Sequence, residues 1–119
     1  MLSYCRAELL NGNCFHAVLE ASKGVAERLR QLSGSGKDGA DLIDELFTGA
    51  PPRFRVNAFM TESEKSEQRG FTNLLKGLFG TFRNPTAHTP RTAWPVSEED
   101  ALDLFSLCSY VHRRIDGIR

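Results

Sequence analysis

At 119 residues the chain is long enough for one domain with its own core and too short for two. Its 40% hydrophobic and 25% charged residues match an ordinary globular protein, which excludes a disordered chain. Fifteen Lys and Arg balance fifteen Asp and Glu, so a protein that coats nucleic acid with a blanket of positive charge is excluded, while one local basic site is not.

Cys5, Cys14 and Cys108 are odd in number and show no C-x-x-C spacing, so no disulfide framework is expected and a reducing, cytoplasmic setting is. His16, His88 and His112 lie far apart and share no ligand spacing with the thiols, so neither a metal site nor a cofactor is expected. Charges arrive early at the N-terminus, and no apolar run approaches membrane-spanning length; neither a signal peptide nor a membrane partner is expected. The first residues already read as helical, as in a longer protein cut just upstream. We take residues 1–119 as one domain, the C-terminal part of such a protein.

In chain order, Leu2 to Leu10 is a short helical pattern ended by Asn11-Gly12, with Asn13 placed to cap the next helix. From Cys14, Val18, Ala21, Val25, Leu29 and Leu32 recur three and four apart and trace a buried face. Glu20, Lys23, Glu27 and Arg30 make a solvated opposite face. Ser33-Gly34-Ser35-Gly36 breaks the pattern, and Asp38 caps a short helix reaching Phe47. Pro51 and Pro52 follow, then an alternating stretch from Arg53 to Phe59 that has no partner strand and reads as an extended connector.

Thr61-x-x-Glu64 is a capping box opening another long helix, with Phe71, Leu74, Leu75, Leu78 and Phe82 as its buried stripe. Gly70, Gly77 and Gly80 cost roughly 1 kcal/mol each inside a helix. They predict either a second backbone passing close, from this chain or another copy, or a helix that frays near Gly80. Pro85 ends the helix at or before Asn84. After a loop containing Trp94, Ser97 caps the last helix, with Glu98, Glu99 and Asp100 on its positive end. Its stripe is Ala101, Leu104, Phe105, Cys108, Val111 and Ile115, and Arg113 and Arg114 suit its negative end. The fold class is all-α, a bundle of about four to five helices. His16 and His112 read as helix-surface residues, and Glu67 and Gln68 as residues holding helix contacts.

One motif gathers unlike polar groups within six residues: Arg83-Asn84-Pro85-Thr86-Ala87-His88. In an unbroken helix Arg83 and His88 would point apart; with the helix broken at Pro85 the chain can turn both to one spot. Metal-free RNA cleavage needs a base for the ribose 2′-hydroxyl, charge for the crowded phosphorane and an acid for the leaving 5′-oxygen. Imidazole serves for either proton transfer, and guanidinium gives a permanent bidentate fork to phosphate. Asn84 orients the phosphate or the ring, and Thr86 adds a substrate-binding hydrogen bond. Taken alone, the same residues also fit a bland use, an arginine on a helix dipole and a histidine in a surface loop. Both readings are open at this level.

The run Arg-Asn-Pro-Thr-Ala-His resembles the R-x(4–6)-H signature of the HEPN superfamily. Phe15 to Lys23, Lys37 to Leu42 and Ser66 to Phe71 together resemble the Ymh family of uncharacterised bacterial and phage-associated domains, which belongs among the HEPN proteins. The resemblance implies a two-fold homodimer that pairs two motifs, and metal-independent endoribonuclease activity in toxin–antitoxin, phage-defence or RNA-processing settings. Arg83 and His88 would be its catalytic pair and Asn84 a polar auxiliary; RNA, and an antitoxin or an upstream domain, would be the partners. Many toxins of this superfamily that are silenced by a nucleotidyltransferase partner have a tyrosine two residues after the histidine. Here that position is Pro90, which speaks against such regulation. The rival class is a non-catalytic helical dimerisation or RNA- or partner-binding domain. A metal-dependent nuclease would need clustered carboxylate or histidine ligands, which the sequence lacks.

Overall fold

The computed structural model describes residues 14–83 and 96–118, and among them every regular element is helical. Helix α1 is Cys14–Ser33, α2 is Gly39–Phe47, α3 is Glu62–Leu78, and α4 is Glu98–Asp116. A π-helical segment, Phe79–Arg83, continues α3. The expected helix over residues 2–10 and the cap at Asn13 lie outside the described residues, as do Pro85, Pro90 and Trp94.

The helix boundaries follow local capping chemistry. Asp38 accepts from the Gly39 N–H at 2.8 Å to start α2. At α3 the Thr61 hydroxyl accepts from the Glu64 N–H at 3.1 Å, while the Glu64 carboxylate accepts from the Thr61 N–H at 2.9 Å. Hydrogen bonds from the Thr61 and Met60 N–H groups hold the Glu64 carboxyl below its ordinary value. Ser97 caps α4 through the Asp100 N–H at 3.0 Å. Helix α1 ends on Gly34, whose φ of +75° and N–H bond to the Arg30 carbonyl (2.7 Å) form a left-handed cap.

Helices α1 and α4 run side by side in the same direction, with Ala21 beside Cys108 and Arg28 beside His112 and Asp116. Small residues on α1 (Ala17, Ala21, Ala26) allow this approach, and the last helix answers with Leu104, Phe105, Val111 and Ile115, all buried. Helix α2 lies antiparallel to α3. Lys76 meets Asp44 at 2.5 Å, and the Phe47 and Phe71 rings pack at 5.7 Å. Leu32, expected on the buried stripe of α1, is instead 54% exposed. It falls in the last turn, where the chain leaves the core toward Gly34, and it borders a shallow groove with Phe54, Ile115 and Ile118.

The 53–59 connector forms no strand, as its sequence predicts, but it bends at Arg53–Phe54 and Val56–Asn57 instead of running extended, and it is anchored by a side chain the sequence does not single out for that task. Gln68 is 2% exposed on α3. Its Oε1 accepts the Val56 N–H at 3.0 Å, and its Nε2 donates to the Phe47 carbonyl at 3.0 Å and the Phe54 carbonyl at 2.9 Å. One amide thus satisfies two backbone groups of a connector that has no sheet to satisfy them, together with the carbonyl of Phe47 at the end of α2. Arg114 adds a bond to the Val56 carbonyl and an ion pair with Glu67, so its role extends beyond complementing the helix dipole. Phe59 closes the connector at φ +56°, a left-handed conformation costing a non-glycine residue about 1–2 kcal/mol, with its N–H held by Asn57.

The α1–α4 seam contains a titrating contact. One guanidinium nitrogen of Arg28 donates to His112 Nδ1 at 3.0 Å and to the His112 carbonyl at 3.1 Å, while the other nitrogen pairs with Asp116. A donor at Nδ1 requires a neutral imidazole. Burial, with the Arg28 charge adding to it and Asp116 opposing, holds His112 below its ordinary 6.5. The folded state therefore binds fewer protons than the unfolded chain, and this stability is intact above 6.5 and lost as pH falls below it. Thermal melts should show the melting temperature dropping on acidification through that window, and His112→Gln should flatten the drop. A steep loss in the variant identical to the parent's would place the titration elsewhere. Asp38 and Glu64, both depressed, act only below their ordinary 3.8 and 4.5, a separate window.

Candidate active site at the end of the third helix

The end of α3 departs from α-helical geometry just before the motif. From Phe79 to Arg83 the turns widen to π spacing, with Phe79 buried as the anchor against α1 and Gly80 exposed in the middle. Single π turns in α-helices collect at functional sites because the widened turn re-aims the residues after it. The glycine expectations resolve accordingly. A Cβ placed on Gly70, Gly77 or Gly80 would meet nothing within 4 Å, so no described backbone of this chain crowds them. Nor does the helix fray at Gly80; it widens and runs on to Arg83.

Arg83 is the last residue of that segment, and its side chain is 16% exposed. One terminal nitrogen donates to Asp38 Oδ2 at 2.6 Å, and the guanidinium lies 6.0 Å from the Phe79 ring centroid, at the outer limit of a cation–π contact. Asp38 is the hub. Its Oδ1 also takes a bond from Arg30 at 3.0 Å and the capping bond from Gly39. Partial burial pushes the Asp38 carboxyl up, but the hydrogen bond from Arg83, the Gly39 N–H and the charges of both arginines outweigh it and hold the group below its ordinary value. Asp38 thus stays ionised at neutral pH and fixes Arg83 from a position 45 residues away in the chain.

Of the four residues singled out in the sequence, the structure places Arg83; Asn84, Thr86 and His88 lie outside the described residues. The residue that sequence reasoning missed is Asp38 in its second role. Its capping function was visible from the residues beside it, but nothing local signals the pairing with Arg83. Among the described residues no three His, Cys, Asp or Glu side chains group as metal ligands. His16 stands half-buried on α1, and His112 is occupied by Arg28.

The arrangement is a helical bundle presenting a fixed guanidinium where its long core helix ends, directly before the Asn-Pro-Thr-Ala-His run. The chain belongs to the Hypoth_ymh family, described as a protein of unknown function, whose family model matches residues 1–115. No curated protein and no solved structure matches it. No described helix is long and apolar enough to cross a membrane.

Proposed function

We propose that this domain is a metal-independent endoribonuclease of the HEPN type, in which Arg83 and His88 act at the interface of a two-fold homodimer. The observation that carries the reading is the anchored Arg83. A cation whose direction is set by Asp38 and Phe79 stands directly before the sequence Asn84-Pro85-Thr86-Ala87-His88, which carries an amide, a hydroxyl and an imidazole. Arg83 stabilises the phosphorane, His88 transfers the proton, Asn84 orients, and Thr86 binds substrate. One motif supplies one imidazole, whereas the reaction uses a base and an acid, so two motifs are paired. The uncrowded glycines on the exposed face of α3 leave room for a second copy. A cytoplasmic toxin or phage-defence effector, silenced by an antitoxin or joined to an upstream domain, fits this chemistry.

Purified domain incubated with total RNA should cleave it undiminished in EDTA, leaving a 2′,3′-cyclic phosphate or 3′-phosphate and a 5′-hydroxyl. Attack by the 2′-oxygen dictates those ends, and DNA should be left intact. Loss of activity on chelation, or 5′-phosphate products, overturns the mechanism; a monomer in solution overturns the paired site.

The non-catalytic binding-domain reading draws on the same arginine, since a largely covered side chain already paired with a carboxylate also describes a structural ion pair. Asp38→Asn separates the two. Asparagine still caps α2, so the fold is kept, but the charge that fixes Arg83 is gone. If Arg83 is catalytic, kcat falls about 10-fold to 10²-fold with KM unchanged, the signature of lost positioning. A variant that melts lower and cleaves at the parental rate would make the pair structural.

A further inference from the structure

We infer that the groove between α3 and the chain on either side of the 50–58 stretch is a subsite for a nucleotide of a single RNA strand, leading toward Arg83; the inference rests on the ribonuclease reading. The groove holds about 390 Å³, room for one nucleotide rather than a buried strand. Its walls include Thr48, Phe59, Lys65, Arg69, Asn73 and Lys76.

Three features of this wall are unusual for a solvated helix face. First, Lys65 and Arg69 are like charges one turn apart, a pairing that disfavours the helix, in a chain whose total charge is balanced. Arg69 is exposed and joins no ion pair among the described residues. Second, Lys76 extends the cationic row seven residues beyond Arg69, its ammonium shared with Asp44 at 2.5 Å. Third, an aromatic ring stands at the rim. Phe59 is held in a left-handed backbone conformation, and the Lys65 ammonium lies 5.6 Å from its centroid. Cations for phosphate, a ring for stacking and the exposed amide of Asn73 for a base edge are the parts of a single-strand site. Sequence-tolerant stacking also suits an enzyme whose cut lies elsewhere. From Lys76 to Arg83 is seven residues, roughly 10 Å along the helix, so a strand held in the groove reaches Arg83 within a short span.

The test uses the full chain with His88→Ala for binding, and the parent for cleavage. Anisotropy of a short fluorescent single-stranded oligoribonucleotide is followed against salt, with AMP titrated separately. Lys65→Glu with Arg69→Glu should weaken RNA binding by about 10-fold or more and lower the salt slope by about 1.4, two single-strand phosphate contacts. Phe59→Gly, which removes the ring while relieving the backbone, should weaken binding about fivefold or more. Arg113→Glu, a single Arg-to-Glu reversal like that at Arg69 but at an exposed position on α4, is the control and should stay within about twofold. In the parent background the groove variants should raise KM by the same factors. Unchanged binding and salt slope in the double variant, with parental circular dichroism, overturn the subsite. AMP binding as tight as RNA overturns the strand and leaves a small-nucleotide pocket. RNA held through the groove by a parent that cuts nothing upholds the subsite and sinks the ribonuclease reading alone.

Discussion

His88→Ala is expected to lower RNA turnover by about 10²–10⁴-fold, the range that general acid–base catalysis supplies. Imidazole titrates near neutral pH, and neither Asn84 nor Thr86 beside it can replace a group that both takes and gives a proton. Arg83→Ala should hurt comparably, because it strips the fixed charge from the phosphorane. Arg83→Lys should rescue little: an ammonium cannot hold Asp38 and a phosphate oxygen together as the planar fork can. Asn84→Ala should cost less than either, since it orients groups without carrying charge or proton. His16→Ala and His112→Ala should stay within a few-fold of the parent. Single-turnover cleavage of one RNA by each variant, with circular dichroism to verify folding, gives the ranking. If His88→Ala cuts as fast as the parent, the motif is not the active site and the binding-domain reading takes its place.

The parts of this fold legible in the sequence are those decided within one helical turn. Asp38, the Thr61–Glu64 box and Ser97 each announce a helix start through an acceptor placed next to the amides it caps, and the structure forms each of these bonds. The stripes of α1 and α4 follow from helical periodicity, except Leu32, whose exposure depends on where the chain leaves the core. What could not be read locally is what joins distant segments. The amide of Gln68 reaches carbonyls 21 and 14 residues back, and the hold of Asp38 on Arg83 spans 45 residues. The π turns at Phe79–Arg83, which hold Phe79 in the core, likewise have no signal in the neighbouring residues. Of the candidate site, the residue types are legible in the sequence, and the structure adds the support beneath Arg83.

Gln68→Met is expected to be the most destabilising substitution of a polar side chain on α3. Methionine fills nearly the same volume, so no cavity term enters, and the change isolates the three hydrogen bonds. The Val56 N–H and the carbonyls of Phe47 and Phe54 lose their partner in a region where Gln68 itself is 2% exposed and Val56 7%. Each buried backbone group left without a partner costs about 1–3 kcal/mol. Relaxation of the connector and entry of water recover part of that, so a loss of about 3 kcal/mol is expected, a large share of the 5–15 kcal/mol typical of a domain. The melting temperature should fall by about 10–20 °C. Gln68→Glu should be as damaging at neutral pH, because a carboxylate still accepts from Val56 but faces two carbonyl oxygens. It should recover partly in mild acid, where protonation restores one donor. That recovery separates a hydrogen-bonding role from a packing one. If Gln68→Met melts within about 3 °C of the parent, less than 1 kcal/mol is at stake, and the connector holds its place through Val56 and the Phe47–Phe54 ring contact instead.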